Sequence, residues 1–186
     1  MIVLEALSRF LPPQTIRSVL TQTARHSRRI RRLSAAAVVW LFIAIGIWTD
    51  LDMPAIWRQV VGTLRSLFLA LEARRPPSKL ALSQACTRAG PRVLRRLFVE
   101  TSTPIALDRT HGAFYKRMRL MAIDGIRFEI PDTPANAAAF GQPRTQSNGQ
   151  TIEGGYPQIH TIFLAETGTH MIVEAYINQF DPLLFA

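Results

Sequence analysis

The spacing of hydrophobic residues divides the chain into a helix-forming first part and a strand-forming second part. Up to about residue 100, apolar residues recur every three or four positions, as in helices that bury one face. From residue 120 the pattern changes, and Ile126, Phe128 and Ile130 alternate with charged residues. This alternation predicts a strand with one buried face. The predicted fold class is therefore α+β, with an all-helical unit followed by strands.

Prolines, glycines and capping residues indicate the helix boundaries in the first part. Asp50 and Asp52 are N-cap candidates before Pro54, and Ser78 can cap a later helix that Gly90 ends. The predicted helices are two short ones within 1–27, separated by Pro12-Pro13, followed by 35–48, 54 to about 72, 79–89 and 91–100. The last two form either a helix-turn-helix or a plain helical hairpin, and the pattern fits both.

The most apolar helix, Ala35 to Trp48, follows a basic segment, as membrane anchors also do. Its 14 residues span about 21 Å, whereas the hydrocarbon core of a bilayer is about 30 Å thick. The length favours a buried core helix. A small basic membrane-associated protein is the alternative.

Two further strands are predicted at 157–165 and 170–176, joined by a turn at residues 166–169. Between them and the first strand, Asp132 to Gly155 is polar, contains Gly and Pro, and is predicted to form a long loop. The predicted organisation is a helical N-terminal domain at 1–105, a connector at 106–119 and a second domain at 120–186.

Charge is distributed unevenly along the 186 residues. Residues 1–119 carry 20 Lys+Arg and 6 Asp+Glu, or +14, whereas residues 120–186 carry 2 and 7, or −5. A strongly basic unit suggests a polyanionic partner, either nucleic acid or an anionic membrane surface. The single cysteine, Cys86, excludes an internal disulfide and a multi-cysteine zinc site, and it fits a reducing cytoplasm.

Arginines are concentrated in two segments, within residues 25–32 and 92–96. Such closely spaced guanidinium groups repel one another unless they bind phosphates, which they can contact in bidentate fashion. A solvated charged face is the alternative, and phosphate contacts do not read base sequence. The predicted DNA-binding residues are Arg25, Arg28, Arg29, Arg31, Arg32, Arg92, Arg95 and Arg96.

Asp124 is the principal site candidate, because a carboxylate on an apolar strand is costly to desolvate unless a metal ion, a basic partner or water offsets its charge. The alternative is that Asp124-Gly125 is only a turn or bulge. Glu129 is expected on the opposite face, and Asp132 about 26 Å away along the strand.

Other polar residues of the predicted strands are weaker candidates. Glu166 and Glu174 lie on or near neighbouring strands, where one of them could approach Asp124, but both are interpreted as solvated strand-end carboxylates. His160 and His170 are interpreted as surface or packing residues rather than metal ligands.

Long stretches of the sequence resemble one protein family. The segments AIDGIRFEIPDTPANAAAFGQPRTQSNGQ and YPQIHTIFLAETGTHMIVEAYI resemble the opening of the catalytic domain of insertion-sequence-four type transposases. LPPQTIRSVLTQTARHSRRIRRLSAAAVVWLFIAIGIWTDLDMPAIWRQVVGTL and SKLALSQACTRAGPRVLRRLF resemble that family's helical N-terminal domain. The resemblance covers roughly residues 10–177.

The resemblance implies an RNase H-like core whose triad of two aspartates and one glutamate holds two Mg²⁺ (or Mn²⁺) ions for phosphoryl transfer. Asp124 matches the first aspartate of this triad. The resemblance therefore implies that Asp124 is a catalytic residue and a metal ligand. The sequence ends before the other two acids, so we expect the chain to be catalytically incomplete and not to hold Mg²⁺ stably by itself.

The implied partners are the terminal inverted repeats of an element and a further copy of the chain or a full-length transposase, and the implied location is the cytoplasm, at the nucleoid. A non-catalytic DNA-binding regulator or inhibitor of transposition is the alternative function.

Overall fold

The structure, a computed structural model, describes residues 2–25, 33–64, 77–147 and 150–178. The chain divides into two compact units, Met1–Thr101 (unit 1) and Ser102–Ala186 (unit 2). Unit 1 is helical, whereas unit 2 contains β-strands and a short helix. The predicted α+β class is therefore confirmed.

The helices of unit 1 agree closely with the predicted ones. They are α1 (Ile2–Phe10), α2 (Pro13–Gln22), α3 (Ala35–Ile47), α4 (Met53–Thr63), α5 (Lys79–Ala89) and α6 (Pro91–Thr101). The predicted extension of α4 to residue 72 lies largely outside the described residues.

Capping residues explain where these helices begin and end. The side chains of Ser34, Asp52 and Ser78 each accept a hydrogen bond from the backbone N–H three residues ahead, at 2.8–3.2 Å. Of the two predicted caps for α4, Asp52 is therefore the one used. Gly90, with φ of +71°, ends α5, and Pro91 begins α6 directly afterwards.

An apolar core joins the helices of unit 1. Trp40, in the middle of α3, is 1% exposed, and the buried residues around it come from the other helices: Leu4, Ile16, Ile56, Trp57, Leu82 and Val93. This burial confirms α3 as a core helix. In the described part of the chain, no helix has the length and apolar character needed to span a bilayer.

Unit 2 is built around a three-stranded antiparallel sheet. Its elements are β1 (Phe114–Tyr115), β2 (Met118–Arg119), β3 (Met121–Glu129), α7 (Pro134–Phe140), β4 (Arg144–Ser147), β5 (Gln150–Glu153), β6 (Gln158–Glu166) and β7 (Met171–Asn178). The sheet has the order β3-β6-β7, while β1 pairs with β2 and β4 with β5. The three predicted strands are thus confirmed.

Residues 132–155 contain more structure than predicted. The segment forms α7 and the β4–β5 hairpin, so the prediction of a long loop is wrong. The hydroxyl of Thr133 accepts a hydrogen bond from the Asn136 N–H at 3.2 Å, and Pro134 occupies the first turn of α7. Thr-Pro is therefore a helix start here, a signal that the polar composition obscured.

Strand β3 lies at one edge of the sheet and is largely exposed on both faces. Ile123 is 75% exposed, and Ile126 and Phe128, on the other face, are 46% and 45% exposed. The prediction that β3 buries one face is therefore wrong. An alternating strand buries a face only where a second layer packs on it, and the described residues place none over β3.

Candidate functional site

Asp124 lies in the middle of β3, in regular extended backbone. Asp124 and Gly125 pair with Phe163 and Ile162 of β6 without any shift in register. The alternative of a turn or bulge at Asp124-Gly125 is therefore wrong. The carboxylate is exposed, and its Oδ1 accepts a hydrogen bond from the Gly125 N–H at 2.8 Å. The expected desolvation of Asp124 does not occur in the described structure, because nothing covers this part of β3.

Strand register determines which acids share a face with Asp124. Directly paired residues lie on the same face of a sheet, and neighbours along a strand alternate. Glu166 pairs with Met121, and Glu174 pairs with Leu164, whose partner on β3 is Ile123. Met121 and Ile123 differ from Asp124 by odd numbers of residues, so both glutamates lie on the opposite face. Neither can approach Asp124 across the sheet.

The described residues around Asp124 do not complete a metal site. Mg²⁺ requires close to octahedral coordination by oxygen atoms, of which several usually come from carboxylates, phosphates and water. Asp124 supplies one carboxylate, and Glu129 lies on the other face of β3. Over the ranges that the structure describes, no group of three or more His, Cys, Asp or Glu residues converges.

The two histidines on or near the predicted strands, His160 and His170, occupy different environments. His160 is buried on β6 and pairs with Arg127 of β3. Burial, together with the positive charge of Arg127, lowers the pKa of His160, which favours its neutral form. His170 is exposed and has a φ of +56° at the turn between β6 and β7.

Glu166 is a charged residue whose burial sequence reasoning did not predict. Its side chain is fully buried, and Oε2 accepts hydrogen bonds from the N–H groups of Ala106 at 2.8 Å and Ile105 at 3.2 Å, and from the Thr169 hydroxyl at 2.5 Å. Oε1 forms an ion pair with Arg119. The interpretation of Glu166 as a solvated strand-end carboxylate is therefore wrong. Most of its partners come from residues 105–119, a distant segment that no local pattern connects to it.

We refer to Glu166, Arg119, Thr169 and the backbone of residues 105–106 as the Glu166 cluster. Arg119 also donates hydrogen bonds to the Ala106 carbonyl at 3.4 Å. Beside the cluster, the Thr167 hydroxyl donates to the Gly112 carbonyl at 2.9 Å, and the Thr167 N–H donates to the Leu120 carbonyl at 3.2 Å. The cluster thus joins the β6–β7 turn to the segment that precedes β3.

Replacing Gly168 in this turn by alanine is expected to destabilise unit 2 by about 1–3 kcal/mol, the usual effect of overpacking. A Cβ at Gly168 would lie 2.6 Å from the Ala113 Cβ and 2.8 Å from the Ala113 backbone. Amide hydrogen exchange in β6 would measure the loss. Gly154→Ala is the control, since a Cβ there meets nothing within 4 Å; equal protection in both variants would contradict the prediction.

In unit 1, the described residue of the first basic segment, Arg25, contacts the end of α5. The Arg25 guanidinium donates a hydrogen bond to the Arg88 carbonyl at 2.9 Å, in the last turn of α5. Carbonyl groups at this end of a helix lack helical partners and favour a nearby cation. Arg25 therefore lies next to the Gly90 turn that leads into α6.

Helix α6 carries the second basic segment on one face. Arg92, Arg95 and Arg96 are all exposed, and their spacing of three and four residues places them on one side, opposite the buried Val93 and Leu97. Arg96 also forms an ion pair with Glu100 on the same helix. The remaining predicted DNA-binding residues, Arg28, Arg29, Arg31 and Arg32, lie outside the described residues.

Each helix of the α5–α6 pair packs on different neighbours. Helix α5 contacts α3 and α4, whereas α6 contacts α2. The face of α6 that carries the arginines therefore stays exposed. Arg88, which sequence reasoning did not select, precedes the same turn and is also exposed.

Comparison with known sequences relates the basic, helical unit 1 to the N-terminal region of insertion-element transposases. The model of the family described as "Insertion element 4 transposase N-terminal" matches residues 1–99, more than half of the chain. The chain belongs to this family, as its resemblance to insertion-sequence-four type transposases predicted.

Two relatives from Escherichia coli (strain K12) extend the similarity into unit 2. "Transposase InsG for insertion sequence element IS4" is 30% identical over 175 residues, which is 92% of this chain and 36% of the relative. "Putative transposase InsZ" is 27% identical over 168 residues, or 89% of this chain and 51% of the relative. The chain thus spans about a third to a half of the length of these relatives. No solved structure matches it.

Proposed function

We propose that this chain is the DNA-binding part and the beginning of the catalytic domain of a transposase that acts by a DDE mechanism. The main support for this proposal is the basic surface of unit 1. On this surface, Arg25 lies at the end of α5, beside the arginine-bearing helix α6. This surface lies in the region that the family model matches. Its proposed partner is the DNA at the ends of an insertion element, and its proposed location is the nucleoid.

Exposed arginines on one helix face suit phosphate binding. Guanidinium groups contact phosphate oxygens in bidentate fashion, and each phosphate that is neutralised releases counterions from the DNA. Such contacts provide affinity and position the protein, whereas base contacts are needed for selectivity towards one sequence. Preference for element ends therefore requires residues in addition to these arginines.

Asp124 is proposed to be the first acid of the triad and a ligand of a divalent metal ion. Its regular position on β3 and its exposed carboxylate are compatible with this role. The described residues around Asp124 do not by themselves complete a site for such an ion. We expect the chain alone to bind DNA without cutting it.

The proposal predicts that replacing Arg92 and Arg95 by glutamine weakens DNA binding. Loss of two phosphate contacts should reduce the slope of log Kobs against log[salt] by about 2, since each contact contributes about 0.9. Fluorescence anisotropy with element-end duplex and scrambled duplex, with and without Mg²⁺, would measure binding. A variant with Arg9→Gln and Arg58→Gln, which removes two exposed charges from α1 and α4, is the matched control.

The binding measurements can support or reject the proposed function. Preferential binding to element ends without cleavage would support a DNA-binding transposase segment, and it would allow the chain to act as an inhibitor by occupying those ends. Equal slopes for the two double variants would contradict the proposed role of α6. Absence of DNA binding by the unmodified chain would reject the proposed function altogether.

A further inference from the structure

A short basic hairpin projects from unit 2, formed by β1 and β2 (residues 114–119, called here the basic hairpin). Phe114 pairs with Arg119 and Tyr115 with Met118, so Lys116 and Arg117 alone form the turn. Both have positive φ, +48° and +68°. A two-residue turn with two positive φ values is the type I′ geometry that suits the twist of antiparallel strands.

The residues in this turn are unusual for its geometry. Type I′ turns favour Asn-Gly, because Gly has no Cβ and the short polar side chain of Asn can hydrogen-bond locally, whereas other residues are disfavoured at positive φ. Here the two positions hold long cationic side chains, which are exposed. Residues kept in a disfavoured conformation are frequently found at binding sites.

The base of the basic hairpin is held firmly. The Arg119 guanidinium lies 4.9 Å from the centre of the Phe114 ring and forms an ion pair with the buried Glu166. The Leu120 N–H donates a hydrogen bond to the Ala113 carbonyl at 2.9 Å, directly beyond the paired residues. These contacts fix the position of the turn. The conformational entropy that the turn would lose on binding a partner is therefore small.

The charge of the basic hairpin contrasts with that of its surroundings. Residues 102–186 contain 6 Lys+Arg and 8 Asp+Glu, and three of the six cations are in the hairpin. Arg119 is neutralised by Glu166, whereas the ion pairs found among the described residues do not include Lys116 or Arg117. Tyr115 is 58% exposed, with the Lys116 ammonium 5.4 Å from its ring centre. The turn is thus a local basic and aromatic projection on an otherwise acidic unit.

We propose that the basic hairpin is a second DNA contact, in which Lys116 and Arg117 bind phosphates of a duplex. A two-stranded ribbon is narrow enough to enter the major groove, and two adjacent cations at its tip reach the flanking phosphates. The Tyr115 hydroxyl can donate a hydrogen bond to the same backbone. This proposal rests on the proposed function, and it assigns unit 2 its own share of DNA binding, independent of the arginines on α6.

The test uses a double variant that removes the two positive charges of the turn and also relieves its backbone strain. Lys116→Asn with Arg117→Gly installs the preferred type I′ pair, so a loss of DNA binding cannot be attributed to unfolding of the hairpin. We expect the salt slope for binding to duplex DNA to fall by about 2. The matched control, Arg109→Gln with Arg127→Gln, removes two exposed charges from the same unit; a similar loss of slope in both variants would overturn the proposal.

A second measurement tests directly whether the basic hairpin lies close to bound DNA. A photoreactive amino acid at position 118, where Met118 is 62% exposed, should cross-link to duplex DNA far more than one at Ile177, which is 63% exposed on β7. Equal cross-linking overturns the proposal. If the unmodified chain binds DNA but either measurement gives the contrary result, the hairpin proposal fails alone. If the unmodified chain does not bind DNA, the proposed function fails with it.

Discussion

Replacing Glu166 by alanine is expected to lower the free energy of unfolding of unit 2 by about 3 kcal/mol, because hydrogen bonds to a charged group contribute about 1.5–3 kcal/mol each and several are lost together. The substitution leaves the N–H groups of Ile105 and Ala106 and the hydroxyl of Thr169 without their acceptor, and Arg119 without its counter-ion. Amide hydrogen exchange measures this loss, because the backbone amides of β6 and β7 would exchange much faster.

The matched control for Glu166 is Glu174→Ala. Glu174 is exposed on the adjacent strand β7, so its removal should change stability by no more than about 0.5 kcal/mol. Arg119→Ala and the double variant complete a mutant cycle, in which a coupling of about 0.5–3 kcal/mol is expected for a direct contact. A loss below 1 kcal/mol for Glu166→Ala would contradict the structural role of the Glu166 cluster.

Replacing Trp40 by alanine is expected to destabilise unit 1 by about 3–5 kcal/mol, as for other large aromatic residues removed from a core. Trp40 is 1% exposed and contributes to a core shared by six helices. The remaining tryptophans, Trp48 and Trp57, also lie in unit 1, whereas the three tyrosines lie in unit 2. Tryptophan fluorescence during urea unfolding would therefore report on unit 1.

The control for Trp40 is Val99→Ala, because Val99 is 56% exposed on α6 and its truncation should change stability by about 0.5 kcal/mol or less. A Trp40→Ala variant with an unchanged urea midpoint would show that α3 does not organise the core. That result would restore the alternative in which the apolar segment associates with a membrane.

The helices of unit 1 could be predicted because their signals are local. Ser34, Asp52 and Ser78 cap helices through bonds to backbone groups three residues away, and Gly90-Pro91 ends one helix and begins the next. Each of these signals fits within four or five residues of sequence. The burial of α3 also follows from composition alone, since nearly every residue in it is apolar.

The environment of the acids in unit 2 could not be predicted in the same way. Glu166 is buried because residues 105–119 fold over the end of β6, and that contact joins positions about 50–60 residues apart. The alternation in β3 predicts which residues share a face, and Glu129 is indeed opposite Asp124, but it does not predict whether anything covers that face. The alternation of apolar and polar residues is a property of the strand itself. Burial depends on which segments, distant in sequence, pack against that strand.

The contacts between the start of β3 and the end of β6 also determine how the chain tolerates insertions and deletions. Glu166 is paired with Met121, and Thr167 is hydrogen-bonded to the Leu120 carbonyl, so the alignment of β3 with β6 is fixed three residues before Asp124. The turn of the basic hairpin comes before this fixed point in the chain. An insertion or deletion in that turn therefore leaves Asp124 on the same face of the sheet. Deleting one residue between Met121 and Asp124 would instead move the carboxylate to the face of Glu166 and Glu174.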